Sequence, residues 1–174
     1  VMCMTIWNSF HLGNLLITGS TDKTLRIWDL DSELCTNILN GHTDTITCVC
    51  VSPIQLSDPM IVSGSADKHL IQWSLEHGNS IRVLKGHKGV VNAVTISSNT
   101  DFPVIVSSGI DNLIICWKLI DGMQIGRIQG HDGPISTLAL SYIRIPVIIS
   151  GGDDKYLRIW DLSNGSLIET LKGQ

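Results

Sequence analysis

Residues 63–73 read Ser63-Gly64-Ser65-Ala66-Asp67-Lys68-His69-Leu70-Ile71-Gln72-Trp73. A hydroxyl residue, an aspartate four positions on and a tryptophan six beyond that frame a short turn, Ser65-Ala66-Asp67-Lys68, between two apolar runs. The same frame recurs as Thr18–Asp22–Trp28, Ser107–Asp111–Trp117 and Ser150–Asp154–Trp160. The four tryptophans stand 45, 44 and 43 residues apart, and only Trp7 lies outside the series. A fixed period of this length is the signature of a repeat architecture and decides the fold before any local assignment.

Outward from that frame, Gly41-His42, Gly86-His87 and Gly130-His131 keep the same step. Each histidine precedes its hydroxyl residue by 21, 20 or 19 positions, so length varies only in that interval. Variable length belongs to a loop; invariant length belongs to paired strands and a tight turn. Each unit reads as four short strands rich in Val, Ile, Thr and Trp, bounded by Gly, Pro, Asp and Asn. In the second unit they fall at Thr45–Val51, Met60–Ser63, Leu70–Ser74 and Ser80–Leu84. Pro53, Pro59, Pro103 and Pro146 sit in or beside the loop after the first strand, where a missing N–H is tolerated. No stretch carries a helical period.

Composition narrows the function. Of 174 residues 43% are hydrophobic and the formal net charge is −4, which describes a globular chain without a basic footprint for nucleic acid or an anionic membrane. No apolar run approaches the roughly 20 residues of a membrane helix, and the opening Val1-Met2-Cys3-Met4 lacks the basic start of a signal peptide. The five cysteines, Cys3, Cys35, Cys48, Cys50 and Cys116, show no C-x-x-C spacing. They read as small buried hydrophobes in a reducing compartment. The expected location is therefore intracellular, cytoplasmic or nuclear, with no cofactor and no metal.

Gly-His, then Ser-Gly or Thr-Gly, then Asp, then Trp-Asp resembles the WD40 repeat of G-beta-like β-propellers. Trp28-Asp29 and Trp160-Asp161 match the name dipeptide, whereas Trp73-Ser74 and Trp117-Lys118 depart from it. The resemblance covers the whole chain as a single region, 1–174, with repeats at about 1–39, 40–84, 85–129 and 130–172. It implies an all-β fold of four blades, each of four antiparallel strands, forming an open arc or part of a seven- or eight-bladed ring. The chain opens on Val1 rather than an initiator methionine, and Gln174 stands where the next Gly-His histidine would fall. The expectation is a portion of a larger ring, with two chains completing an eight-bladed ring as the rival and self-association as its consequence.

The resemblance also implies that His, Ser/Thr, Asp and Trp form one hydrogen-bonded network per blade. The sets are His42, Ser63, Asp67 and Trp73; His87, Ser107, Asp111 and Trp117; and His131, Ser150, Asp154 and Trp160, with Thr18, Asp22 and Trp28 in the first unit. Aspartate can fix the imidazole tautomer, the other ring nitrogen can take the hydroxyl proton, and that hydroxyl can accept the indole N–H. A Ser-His-Asp grouping also evokes a hydrolase. The set recurs in three units, however, and a triad is a single site recognised by its geometry.

Six residues after each Gly-His histidine come Cys48, Ala93 and Thr137, with Cys3 in the corresponding place of the first unit. All are small, as the crowded axis of a propeller requires. Partners of the family are gripped on the face carrying the Gly-His loops. Counting three and five residues on from each histidine puts Thr45 and Thr47, Val90 and Asn92, and Pro134 and Ser136 on that face. Thr21, Ala66, Ile110 and Asp153, just before the network aspartates, join them. The expected function is a non-catalytic scaffold that binds a protein or peptide there. The alternative is a propeller enzyme with an off-repeat site in the central channel, for which His11, His69 and His77 are the only candidates.

Overall fold

The computed structural model describes residues 1–9, 13–52, 59–97, 103–142 and 145–173; Pro53 and His11 lie outside them. Within these the chain forms sixteen strands and no helix, so no described helix is long and apolar enough to cross a membrane. The first sheet is β1 (Cys3–Ser9), β2 (Gly13–Gly19), β3 (Thr24–Asp29) and β4 (Leu34–Asn40). The second is β5 (Ile46–Val51), β6 (Met60–Ser65), β7 (His69–Ser74) and β8 (Ser80–Lys85). The third is β9 (Val91–Ile96), β10 (Val104–Gly109), β11 (Leu113–Lys118) and β12 (Gln124–Gln129). The fourth is β13 (Ile135–Ser141), β14 (Val147–Gly152), β15 (Tyr156–Asp161) and β16 (Leu167–Lys172). Each sheet is an antiparallel meander in chain order.

The invariant turn between the second and third strands has a definite geometry. In the second sheet the Lys68 N–H donates to the Ser65 carbonyl at 3.1 Å, and Lys68 itself takes φ +73°. Lys23, Asn112 and Lys155 adopt the same left-handed backbone in the other sheets. A type I turn closed by a left-handed residue makes a three-residue hairpin loop and pins the register. The Asp67 carboxylate then accepts the His69 N–H at 3.0 Å, which holds the turn from inside. At the other end of each hairpin, the carbonyls of Pro59, Pro103 and Pro146 accept from Leu75, Leu119 and Leu162 at 2.9 Å. Proline is harmless there because only its carbonyl is used.

One sheet cannot bury both its faces, so the sheets stack. Ile17, Leu25 and Leu39 of the first sheet share a core with Ile61, Ile71 and Trp73 of the second. Val62, Leu70 and Leu84 of the second meet Ile105, Ile115 and Trp117 of the third, and Val106, Ile114 and Ile128 of the third meet Ile148 and Trp160 of the fourth. Fully burying each such side chain contributes about 1.5–3 kcal/mol. Three junctions therefore use the same positions. The first strands meet in series, β1 with β5, β5 with β9 and β9 with β13, which puts them along the inner side of an open arc.

The small axial residues explain the Ser-Gly and Thr-Gly pairs. A Cβ on Gly64 would lie 2.6 Å from Cys48 Sγ and 2.7 Å from Val91 Cγ1, and a Cβ on Gly19 would lie 2.6 Å from both Cys3 Sγ and Ile46 Cγ2. The third sheet carries Ser108 at this place, paired opposite Ala93 rather than a cysteine. The volume added on one strand is removed from the other, as close packing demands.

Candidate interaction face

In the last three blades the polar core is assembled by the loop before the first strand and the turn between the second and third. In the third blade His87 Nδ1 lies 3.0 and 2.9 Å from the two Asp111 carboxylate oxygens, and Nε2 lies 2.9 Å from Ser107 Oγ. The Trp117 indole N–H donates to the same Oγ at 3.0 Å, and the Lys88 N–H donates to Asp111 at 2.8 Å. In the second blade His42 joins Asp67 and Ser63 at 2.8 Å each, with the Trp73 indole donating to Ser63 at 2.9 Å. In the fourth His131 joins Asp154 and Ser150, with the Trp160 indole at 2.8 Å from Ser150 Oγ. Once a serine oxygen accepts the indole proton, its own hydrogen points at Nε2. Nδ1 then carries the ring proton and donates to the carboxylate in the second and third blades.

Burial pushes the His42 and His87 pKa values below the ordinary imidazole value, against the pull of Asp67 and Asp111. These rings are neutral. Asp67 is subject to burial, which raises its pKa, but the Thr43 N–H and the His42 ring outweigh that and hold it ionised. In the first blade the Trp28 indole donates to Thr18 at 2.9 Å, while Asp22 is exposed and bonded to Thr24 and Arg26. No imidazole joins it among the described residues.

Two participants were invisible in the repeat. Arg158 occupies the place of Arg26, Ile71 and Ile115, stacks over Tyr156 at 5.2 Å and donates to Asp154, with Nη1 2.7 Å from His131 Nδ1. That guanidinium and the imidazole hold Asp154 well below the usual carboxylate range despite its burial. Gln72 stands where the other sheets carry Ile27, Cys116 and Ile159; it donates to the Leu119 carbonyl at 2.7 Å and accepts from Arg82 at 3.1 Å. A lone polar residue at an apolar repeat position is the signal that marks it.

The loop-side residues divide into two groups. Ala66 N–H donates to the Thr45 carbonyl, Ile110 to Val90 and Asp153 to Pro134, at 2.9, 3.0 and 2.9 Å. Three neighbouring blades thus each bring one loop residue and one turn residue side by side, with Ile110 and Asp153 exposed and the rest half-buried. Thr21 lies exposed at the matching turn of the first blade. Gly89 lets Ile110 lie close over the loop: a Cβ there would meet Ile110 Cγ1 at 2.5 Å.

The outward direction expected for Thr47 and Asn92 does not hold. Thr47 Oγ1 donates to the Val91 carbonyl of the next blade and to Gly64 at 3.0 Å, and Asn92 Nδ2 donates to the Ile135 carbonyl at 3.0 Å. The reason is a β-bulge. Ile46 and Cys48 pair with successive residues Ser65 and Gly64, which leaves Thr47 unpaired; Asn92 and Ser136 are skipped in the same way. A bulge re-aims its extra side chain, so counting by alternation fails there. Ser136 remains exposed and donates to Gly151 at 3.4 Å.

Off the repeat, His69 opens β7 half-buried and His77 is exposed in the turn after it. Among the described residues no group of three His, Cys, Asp or Glu side chains is placed to hold a metal ion.

Four-stranded meanders stacked in series, three of them tied by an imidazole–carboxylate–hydroxyl–indole network, define a β-propeller blade array. The chain belongs to the WD domain, G-beta repeat family, which matches residues 1–29, 33–74, 78–118 and 122–161. It is 46% identical over 44 residues to the WD repeat-containing protein pop1 of Schizosaccharomyces pombe, which is 25% of this chain and 6% of that protein. It is 43% identical over 37 residues to cell division control protein 4 of Saccharomyces cerevisiae, covering 21% of this chain and 5% of that one. The human F-box and WD repeat domain containing protein 10B is 53% identical over 36 residues, 21% of this chain and 5% of its own length. The alignments thus span only a small part of each of these relatives.

Proposed function

We propose that this chain is a non-catalytic interaction scaffold that takes a protein or peptide on the face bearing Thr21, Thr45–Ala66, Val90–Ile110 and Pro134–Asp153. The observation that supports the reading is the pairing of a loop residue with a turn residue in each of three consecutive blades, where small, apolar and polar side chains meet. A patch of mixed character suits a protein surface. Ser63, Ser107 and Ser150 are buried, and each is engaged by an indole and an imidazole. That leaves none of them as an accessible nucleophile and speaks against the hydrolase alternative. The net charge of −4 disfavours nucleic acid as the partner.

The test is affinity capture with the chain and with Val90→Asp, Ile110→Asp and Pro134→Asp, singly and combined, with folding checked by circular dichroism. Proteins retained by the parent chain are expected to be lost stepwise. Retention of all of them by the folded triple variant overturns the proposed face. Hydrolase or transferase turnover abolished by one off-repeat substitution overturns the non-catalytic reading.

A further inference from the structure

We propose that the groove between the first and second blades is a binding site for an arginine side chain of a protein partner. The groove has a volume of about 220 Å³ and lies between β4 and the turn after β7, at the opposite end of the strands from the Gly-His loops. The buried Leu15, Ile27 and Leu75 line it together with the more exposed Asp29, Asn37 and Glu76. The chain itself indicates the occupant, one boundary further on. There Arg82 takes the register position of Asn37, opposite Gln72 where the first blade has Ile27. The Arg82 stem runs against the turn of the third blade: a Cβ on Gly122 would lie 2.7 Å from its Cδ. Its guanidinium donates to the Gln72 amide oxygen at 3.1 Å and to the Ile120 carbonyl. The second boundary therefore holds a guanidinium in its groove. At the first boundary the short Asn37 reaches only as far as Gly78, and a cavity remains beside it.

Charge points to the same occupant. Asp29 stands where the second blade has Ser74, and Glu76 where the third has Ile120. The first groove is thus walled by two carboxylates at positions that are uncharged in the second. A guanidinium suits this mixture better than an ammonium: it is more weakly hydrated, its planar fork offers several donors to carboxylates, and its methylene stem covers apolar surface. The third boundary also has a groove, of about 290 Å³, but Lys118 stands at the place of Asp29 and Ser163 at that of Glu76, so the acidic walls are missing there.

Methyl NMR of the full chain, titrated with N-acetyl-arginine amide, tests this, with the neutral citrulline amide and the lysine amide run beside it. Saturable shifts of the Leu15, Ile27 and Leu75 methyls are expected with the arginine compound in the millimolar range, weakening as salt is added. Asp29→Asn and Glu76→Gln should each raise the dissociation constant about two- to five-fold, the range of an exposed ion pair. Asn37→Arg supplies the groove with the chain's own guanidinium, as Arg82 does at the next boundary, and should abolish the shifts while methyls of the third and fourth blades keep their positions. The proposal is overturned if the three methyls show no saturable shift, or if the citrulline or lysine compound binds equally well. Equal shifts at Ile128 and Leu162 of the third boundary overturn it too, as does binding that is unchanged in both carboxylate variants or that persists in folded Asn37→Arg.

Discussion

His87 Nδ1 lies 2.9 Å from an Asp111 oxygen while Nε2 lies 2.9 Å from Ser107 Oγ, so one neutral imidazole connects a surface turn to the Trp117 indole at the blade core. The ring is fully shielded from solvent, and both of its nitrogens are engaged. Removing any member strands the next.

Asp111→Ala leaves the His87 ring proton and the Lys88 N–H without their acceptor. The cost of stranding a buried donor is about 1–3 kcal/mol. In a chain of this size that lowers the melting midpoint by roughly 2–4 °C per kcal/mol. Thermal unfolding followed by circular dichroism should show the drop, and an unchanged midpoint would exclude a stabilising network.

Acid should weaken the fold in a window set by the buried histidines. His42 and His87 have folded pKa values depressed below 6.5, so between those values and 6.5 the unfolded chain binds more protons than the folded one. Stability is then full above 6.5 and falls as pH drops through that interval. Asp67, also depressed, adds a loss in the same direction at lower pH, below its ordinary value of 3.8. Urea unfolding across a pH series reads the slope, and His87→Gln should flatten it near 6.5.

Two glycines separate steric need from tolerance. A Cβ on Gly109 would stand 2.2 Å from the Val90 carbonyl oxygen, which is backbone and cannot yield easily. Gly109→Ala should therefore destabilise by about 1–3 kcal/mol. A Cβ on Gly126 would meet nothing nearer than Cys116 Cβ at 3.6 Å, so Gly126→Ala should change the midpoint little. Chemical denaturation of the two variants side by side provides the comparison.

The thiols of Cys3, Cys48, Cys50 and Cys116 should be inert. Burial pushes Cys48 up to about 12 and Cys3 and Cys116 up to about 11, and Cys50 well above its ordinary value. The thiolate is the reactive form, so these groups stay protonated at mildly alkaline pH. Titration with a disulfide reagent should leave them unreacted in the folded chain and count all five cysteines only after denaturation.

The repeat, the strand order and the polar residues of the last three blades were legible in the sequence because their spacing is held rigid by paired strands and a turn of fixed length; Asp22, grouped there with Thr18 and Trp28, instead bonds Thr24 and Arg26. Thr47 and Asn92 were misread because a bulge breaks the period of two on which the counting relied. Gln72 escaped for the opposite reason: it departs from its repeat, and a pattern shared by four units carries no information about a single exception. Arg158 shares its place with Arg26, and the pair each makes with the aspartate four residues earlier came only with the structure. The left-handed backbone shared by Lys23, Lys68, Asn112 and Lys155 came only with the structure.

Because every internal junction is made by matching positions, the gain or loss of one whole unit by recombination would leave each remaining boundary chemically complete. Unit number can then drift in a lineage while the seams stay sound. Even the Gln72–Leu119 contact, made at one boundary, asks only for a backbone carbonyl, and Leu162 offers one at the matching position of the next unit.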